Sequence, residues 1–307
     1  MPQFAKSVTA TVPAKVNLAL GVGPLRADGY HELATVYQAV GLYDEITVSR
    51  RSAGSGITIS AAGPDAESVP IDRTNLAWQA AELVSSQADA EPDVHIHIDK
   101  RIPIAGGMAG GSADAAGALL ACDVLWRASL PREQMAELAS ELGSDIPFLL
   151  YGGTAIGTGR GENITSAMAR GSYHWVFAVS DRGLPTPKVY AECDRLRTGS
   201  QVGEPTVPPS LMEALLAGDP IRVGESLVND LQPAAISLRP ELDLVLEIGN
   251  DAGALGSLVS GSGPTCAFLV ADEEAALDLA VSLSASGLCS GVERATGPVG
   301  GAKLKES

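Results

Sequence analysis

The sequence predicts an α+β fold in two domains, and three observations carry that expectation. The chain has 307 residues, about two domains' worth. Strand-like alternation and helix-like periodicity both recur, without the strict strand–helix alternation of a doubly wound sheet. The texture then changes near Gly161, which sets the expected domains at residues 1–160 and 161–307.

The elements follow in order. Ser7–Val12 alternates as a strand, and Pro13–Leu20 is a second strand-like run. Arg26–His31 carries an Asp-Gly turn signal. Leu33–Leu42, Asp44–Arg50 and Gly56–Ala61 are further strands. Thr74–Ser86 is a helix that Thr74 or Asp72 can cap, with Leu76, Ala80 and Leu83 at helical spacing. Asp93–Asp99 is a strand that feeds a glycine-rich loop. Ser112–Trp126 is a nearly all-apolar helix and is therefore expected to be buried. Pro131–Leu142 is amphipathic, and Gly143–Phe148 opens a short helix or turn. Beyond Gly161, Trp175–Ser180 is a strand and Leu184–Pro187 is a rigid loop. Lys188–Leu196 is a helix, and Thr198–Pro209 is a flexible connection. Leu211–Leu216, Pro220–Val228 and Glu241–Asp251 are helices. Ser257–Val259 and Cys266–Val270 are strands, Asp272–Ser286 is a helix, and Gly297–Ser307 is expected to fray.

Composition narrows the function. Hydrophobic residues make up 45% and aromatics only 4%, so Ala, Val, Leu and Gly must fill the core. With 21 basic and 37 acidic residues the net charge is −16, a field that repels nucleic acid and anionic membranes. Any site for a phosphorylated ligand must therefore be locally positive. The four cysteines (Cys122, Cys193, Cys266 and Cys289) have no paired spacing and read as reduced core residues of a cytoplasmic protein. The four histidines make no metal motif, and His95 and His97 share one strand face, so no residue is assigned as a metal ligand. Met1–Thr11 lacks the apolar segment of a signal peptide, and no run of eighteen apolar residues occurs.

The richest motif is Pro103-Ile-Ala-Gly-Gly-Met-Ala-Gly-Gly-Ser-Ala-Asp-Ala-Ala116. Gly106, Gly107, Gly110 and Gly111 allow tight turns and close approach to a ligand, while Ser112 stands where an N-cap belongs. Free N–H groups and the positive end of the following helix favour an anion, and phosphate is its usual form. The segment lacks the lysine of a Walker loop and the spacing of a dinucleotide fingerprint. The plain structural reading is a glycine turn ahead of a close-packed helix.

Three other segments carry polar residues in apolar surroundings. Lys15 and Asn17 lie two apart on one strand face, opposite Val16, Leu18 and Leu20. Asp145 precedes a proline turn, either as a turn residue or as a carboxylate directed into a cleft. Ser260-Gly-Ser-Gly-Pro-Thr265 is a second glycine-rich turn, either a plain hairpin or a lid.

Taken together and in this order, these segments resemble the GHMP small-molecule kinases. The anchors are Pro13-Ala-Lys-Val-Asn-Leu18, Arg26-Ala-Asp-Gly-Tyr-His31, Asp99 to Ser112, Leu142-Gly-Ser-Asp-Ile-Pro147 and Pro185-Thr-Pro187. The Arg-x-Asp-Gly-Tyr-His element sets this chain apart from mevalonate, homoserine and galactose kinases. It points to the branch that acts on a cytidine-diphosphate sugar alcohol.

The resemblance implies a two-domain GHMP kinase fold with the active site in the cleft between domains. It implies ATP as co-substrate, with Mg²⁺, and the triphosphate lying against Gly106, Gly107, Met108, Ala109, Gly110, Gly111 and Ser112. Lys100, Asn75 and Leu76 would line the adenine side. Lys15 and Asp145 would flank the hydroxyl that receives the phosphoryl group, with Asn17 touching substrate beside them. Tyr30 and Tyr190 would sandwich the cytosine and His31 would read its polar edge. Gly261, Ser262 and Gly263 would close the C-terminal side. The expected partner is a small molecule, with no nucleic acid or membrane, and the protein is expected to be a monomer or weak homodimer. The competing readings are a family kinase with a mevalonate-like or homoserine-like substrate, a silent nucleotide sensor and a Rossmann-type oxidoreductase. One departure is visible: Ile104-Ala105 precede Gly106, where family members often carry more glycine.

Overall fold

The computed structural model describes residues 6–104 and 106–305, so Ala105 and its departure from the family pattern lie outside the described residues. Among the described residues the strands form one sheet of eight and one of four. The first is built on a long hairpin of β1 (Ser7–Leu25) and β2 (His31–Arg50). Beyond β2 come β4 (Val94–Asp99) and then β3 (Thr58–Ala62). β5 (Thr154–Gly159) pairs with the first half of β2, and β6 (Asn163–Ser166) pairs with β5. The short strands β8 (Val228–Asn229) and β12 (Lys303–Leu304) both join β1.

Each pair of strand runs expected in the N-terminal region is one continuous strand. Pro13 is accommodated inside β1 because the ladder shifts register between Pro13 and Ala14, where a missing N–H costs little. A second bulge, between Asn17 and Ala19, has a larger consequence. Val16 and Leu18 enter the main core, as their alternation requires. One extra residue then reverses the alternation, and Leu20 turns from their face to the cleft side that holds Lys15 and Asn17.

Helices α2 (Gly110–Trp126) and α4 (Ile146–Tyr151) pack on this sheet, and α1 (Leu76–Gln87) and α3 (Arg132–Leu142) pack on α2. α2 is buried along most of its length, as its composition demands. At Gly117 a Cβ would come within 2.6 Å of Ile46, so glycine sets how closely helix and sheet approach.

The second sheet runs β11 (Gly291–Gly297), β7 (Tyr173–Val179), β10 (Cys266–Val270), β9 (Gly256–Val259). The two-residue period divides β7 between two cores. Trp175 and Phe177 face the first core, while Val176 and Ala178 join a second with α8 (Gln232–Leu238), α9 (Glu241–Asp251) and α10 (Glu273–Ser286). Trp175 Nε1 donates to Gln38 Oε1 at 3.0 Å, a polar tie between the sheets. α5 (Thr186–Leu196) packs on α8, and α6 (Pro209–Ala217) and α7 (Pro220–Glu225) contribute Leu211, Leu215 and Val223 to the first core.

Several expectations need correction. Asn75 caps α1 by accepting from Ala77 N at 2.8 Å, while Thr74 and Asp72 bond each other. α2 begins at Gly110 behind a left-handed Ala109 (φ 63°), so Ser112 stands in the first turn and is not the cap. The tail does not fray before residue 305: β12 pairs with β1, and Gly300 bridges to Gly152. The first sheet also crosses the expected boundary at residue 160, because β6, β8 and β12 belong to it. No helix among the described residues is long and apolar enough to cross a membrane.

Candidate active site

A cleft of about 930 Å³ opens where β1, β2, the start of α2, the segment before α4, α5 and the β9–β10 turn meet. That volume suits a drug-sized or nucleotide-sized ligand. Its walls include Lys15, Asn17, Leu76, Gly106, Gly107, Ala109 to Ser112, Asp145, Tyr190 and Gly261 to Gly263. Most of the residues expected at a site therefore converge here from distant parts of the chain.

The glycine loop forms the cradle. Ala113 N donates the first helical bond of α2, to Ala109 O at 2.8 Å. The N–H groups of Gly110, Gly111 and Ser112 precede it, so they have no intrahelical acceptor and mark an anion site at the positive helix end. Gly111 borders open space. Gly107 has φ 74°, and a Cβ there would lie 2.1 Å from Ser260 O. Ser260 Oγ donates to Gly107 O at 3.1 Å, so the two glycine turns interlock. We expect Gly107→Ala to cost about 2 kcal/mol of stability, checked by thermal unfolding.

The reacting groups stand beside the cradle. Lys15 is 4% exposed, and Nζ donates to Asn17 Oδ1 at 2.6 Å. Asn17 Nδ2 in turn donates to Thr35 Oγ1 at 2.8 Å, which orients the amide. Asp145 occupies the N-cap position of α4 yet makes no capping bond, so its carboxylate is free to face the cleft. Lys15 Nζ lies 3.7 Å from Asp145 Oδ2, an ion pair longer than a hydrogen bond.

Tyr37, which sequence reasoning missed, supports this pair. It is the cross-strand partner of Asn17 and stacks on Phe148, three residues after Asp145, at 4.9 Å. Burial first, then the Asp145 charge, hold its hydroxyl well above the usual tyrosine range, so it keeps its proton beside the carboxylate. Gly157 and Gly161 make room for it, since a Cβ at Gly161 would lie 2.5 Å from the Tyr37 hydroxyl. A tyrosine between alternating apolar residues of β2 reads as core filling, and only the cross-strand register reveals its neighbours.

A second group of rings lines the far end. His31 stacks on Tyr190 with centroids 5.3 Å apart. Its Nδ1 bonds Gly23 O at 2.9 Å, which makes Nδ1 the donor, and Nε2 lies 3.4 Å from Asp194 Oδ2. Burial, followed by the Asp145 charge, pushes the Tyr190 hydroxyl upward. Tyr30 is half-exposed, with the Arg160 guanidinium 5.0 Å from its ring centre. Sequence reasoning assigned nothing to Arg160 or Asp194.

Three expected contacts with nucleotide are corrected. Lys100 does not line the cleft: it is 2% exposed and its Nζ donates to Asp44 Oδ2 at 2.6 Å and Asp114 Oδ2 at 2.9 Å. Asn75 is held as the α1 cap, leaving Leu76 alone at that wall. The Met108 side chain is fully buried in the core, and its carbonyl accepts from Lys15 N at 3.3 Å. Each is a residue whose polar or flexible character suits a ligand equally well in sequence, and only packing sends it inward. Burial lifts the Asp114 carboxyl from 3.8 to about 7 against the pull of Lys100, with Asp44 adding to the rise. The folded state thus holds this proton more tightly than the unfolded chain. Its contribution to stability is full below pH about 4 and is lost as pH rises through about 7. Among the described residues no group of three or more His, Cys, Asp or Glu side chains could hold a metal ion.

Comparison with known proteins agrees with this geometry. Residues 75–153 match the model of the GHMP kinases N terminal domain, and residues 211–287 match that of GHMP kinases C terminal. The 4-diphosphocytidyl-2-C-methyl-D-erythritol kinase of Thermobifida fusca (strain YX) is 56% identical over 303 residues, which span 97% of this chain and 98% of that protein. A crystal structure of 4-(cytidine 5'-diphospho)-2C-methyl-D-erythritol kinase superposes with a TM-score of 0.76 at 33% identity, covering 97% of this chain and 100% of that one. Homoserine kinase from Cytophaga hutchinsonii superposes almost as well, with a TM-score of 0.75, but at 19% identity over 99% of each chain. The fold is thus common to kinases of different substrates, and the sequence separates them.

Proposed function

The chain belongs to the GHMP kinase family, and on that premise we propose that it phosphorylates 4-diphosphocytidyl-2-C-methyl-D-erythritol with ATP, giving the 2-phosphate and ADP. The product serves isoprenoid-precursor synthesis by the non-mevalonate route. The observation that carries this reading is the convergence of Lys15, Asn17 and Asp145 beside the Gly106–Ser112 cradle.

The triphosphate lies on the N–H groups at the start of α2, with Leu76 on the adenine side. The acceptor hydroxyl sits between Lys15 and Asp145. Its oxygen attacks the γ-phosphorus, the bond to the bridging oxygen of ADP breaks, and the hydroxyl proton passes to Asp145. Phosphoryl transfer has a loose transition state, so positioning and charge neutralisation supply most of the acceleration. Lys15 neutralises charge on the moving group. A lysine close to a carboxylate weakens it as a base. Here the short bond of Lys15 goes to Asn17, and Asp145 stays at 3.7 Å with a protonated Tyr37 beside it. Asp145 is thereby an orienting acceptor that takes the proton late. Mg²⁺ bound with the ATP would supply further shielding of the phosphate charge. The Gly261–Gly263 turn closes the cradle, and Tyr30, His31 and Tyr190 form the cytosine pocket. The unpaired cysteines support a cytoplasmic setting.

An ADP-release assay over a panel of alcohols tests the substrate. Turnover is expected with the cytidylylated methylerythritol, and turnover with mevalonate or homoserine in its place would overturn the assignment. Tyr30→Ala is expected to raise the KM for that substrate about tenfold, one base-stacking contact, with the ATP KM unchanged. A rise in the ATP KM would reverse the two pockets.

A further inference from the structure

A buried ionic cluster under the first turn of α2 has no part in the phosphoryl transfer described above. Asp44, Lys100 and Asp114 are 0%, 2% and 3% exposed. Lys100 bonds both carboxylates, as already described. Asp44 Oδ1 also accepts from the backbone N–H groups of Arg101 at 2.6 Å and Ile102 at 2.8 Å. Asp114 accepts from Lys100 alone, and its Oδ1 is buried with no hydrogen-bond partner among the described residues. Among the described residues the charged groups acting on Asp114 are Lys100, from the segment after β4, and Asp44, from β2. Of the other elements packed on α2, α1, α3, α4 and β1 bring apolar side chains to this core, and β12 carries the exposed Lys303 and Leu304. With both carboxylates ionised the cluster carries one net negative charge.

That charge adjoins the anion cradle. A Cβ on Gly110, the first residue of α2, would lie 3.0 Å from Lys100 Nζ. Asp114 follows Gly110 by four residues, about one turn, or roughly 5–6 Å along the helix axis. A triphosphate on Gly110 to Ser112 therefore brings several negative charges to within about a helix turn of the cluster, through a low-dielectric interior. The readiest relief is a proton on the carboxylate with the fewest donors.

We propose that Asp114 is a positioning residue of the phosphate cradle, whose carboxyl takes up one proton from solvent as the triphosphate binds. Neutral Asp114 leaves Lys100 and Asp44 as a balanced pair and removes the negative charge beneath the cradle. The proton costs little near neutrality, because burial already lifts this carboxyl to about 7. The inference rests on the nucleotide reading of the cradle.

Calorimetric titration with ADP in two buffers of different ionisation enthalpy counts the protons taken up. At pH 8 the nucleotide phosphates are already deprotonated, so uptake belongs to the protein. Wild type is expected to take up roughly half a proton, and its Kd to rise about fivefold between pH 7 and 9, the effect of a shift of about one pKa unit. Asp114→Asn is expected to take up none and to bind with a flat pH profile, and Asp114→Glu to restore the uptake. No uptake by wild type at pH 8, or equal uptake by Asp114→Asn, overturns the proposal. Should Asp114→Asn not fold, the wild-type count and Asp114→Glu still decide. Failure of wild type to bind ADP at any pH would instead remove the nucleotide reading itself.

Discussion

Asp145→Asn is expected to lower kcat about 10³-fold while leaving ATP affinity within about threefold of wild type, the size of loss general-base catalysis supports. The substitution keeps the shape of the side chain and removes its ability to accept the proton. Asp145 makes no capping bond to α4, and its side chain is 30% exposed, so little folding energy depends on it. The loss should therefore appear in kcat, with thermal stability nearly unchanged. Single-turnover kinetics with the cytidine substrate would separate chemistry from product release. A rate equal to wild type removes Asp145 from the reaction, and a fall in ATP affinity of the same size as the fall in kcat would make it a binding group.

Lys100→Met is expected to cost about 3–5 kcal/mol of stability, the range for breaking a buried ion pair by removing one partner. For a chain of this size each kcal/mol moves Tm by about 2–4 °C, so a fall of about 10 °C is expected. Two carboxylates would remain buried without their ammonium. The loss should be present without nucleotide, because the cluster belongs to the core. It should shrink as pH falls towards about 7, because without the pull of Lys100 the Asp114 carboxyl keeps its proton to higher pH than in wild type and one of the two charges disappears. Thermal unfolding of the free protein at several pH values checks both statements. An unchanged Tm would return Lys100 to the adenine wall that its sequence position suggests.

These two residues illustrate what could be read in advance. Asp145 left two readings open in sequence, a turn residue or a carboxylate directed into a cleft, and only the order of the surrounding motifs favoured the second. Lys100 was misread because a lysine just before a glycine-rich phosphate loop has the composition of a ligand contact, and its true partners lie 56 and 14 residues away in sequence. Asp44 gave no signal at all: it stood as one acid at the start of the strand-like run Asp44–Arg50, whereas it is fully buried within β2. Tyr37 was hidden for the same reason, since its meaning depends on which residue β1 sets opposite it. The long strands were read as halves, divided at Pro13 in β1 and between Leu42 and Asp44 in β2, and pairing across the hairpin overrides local preference.

Taken alone, the sequence determined the residue types, their spacing and the fold class. It supplied glycines where backbone must approach backbone, lysine and asparagine two apart on a strand, and the ordered motifs of a GHMP kinase. Those features act locally, through allowed dihedral angles and the two-residue alternation of a strand. Tertiary structure alone decided which polar side chains face the cleft and which face the core. A bulge between Asn17 and Ala19 turned Leu20 to the cleft, and the turn at Ser260 closed on Gly107. Long-range packing turned Lys100 inward onto Asp44 and Asp114. Burial and charge pairing are properties of neighbours brought together by folding, and those neighbours are far apart along the chain.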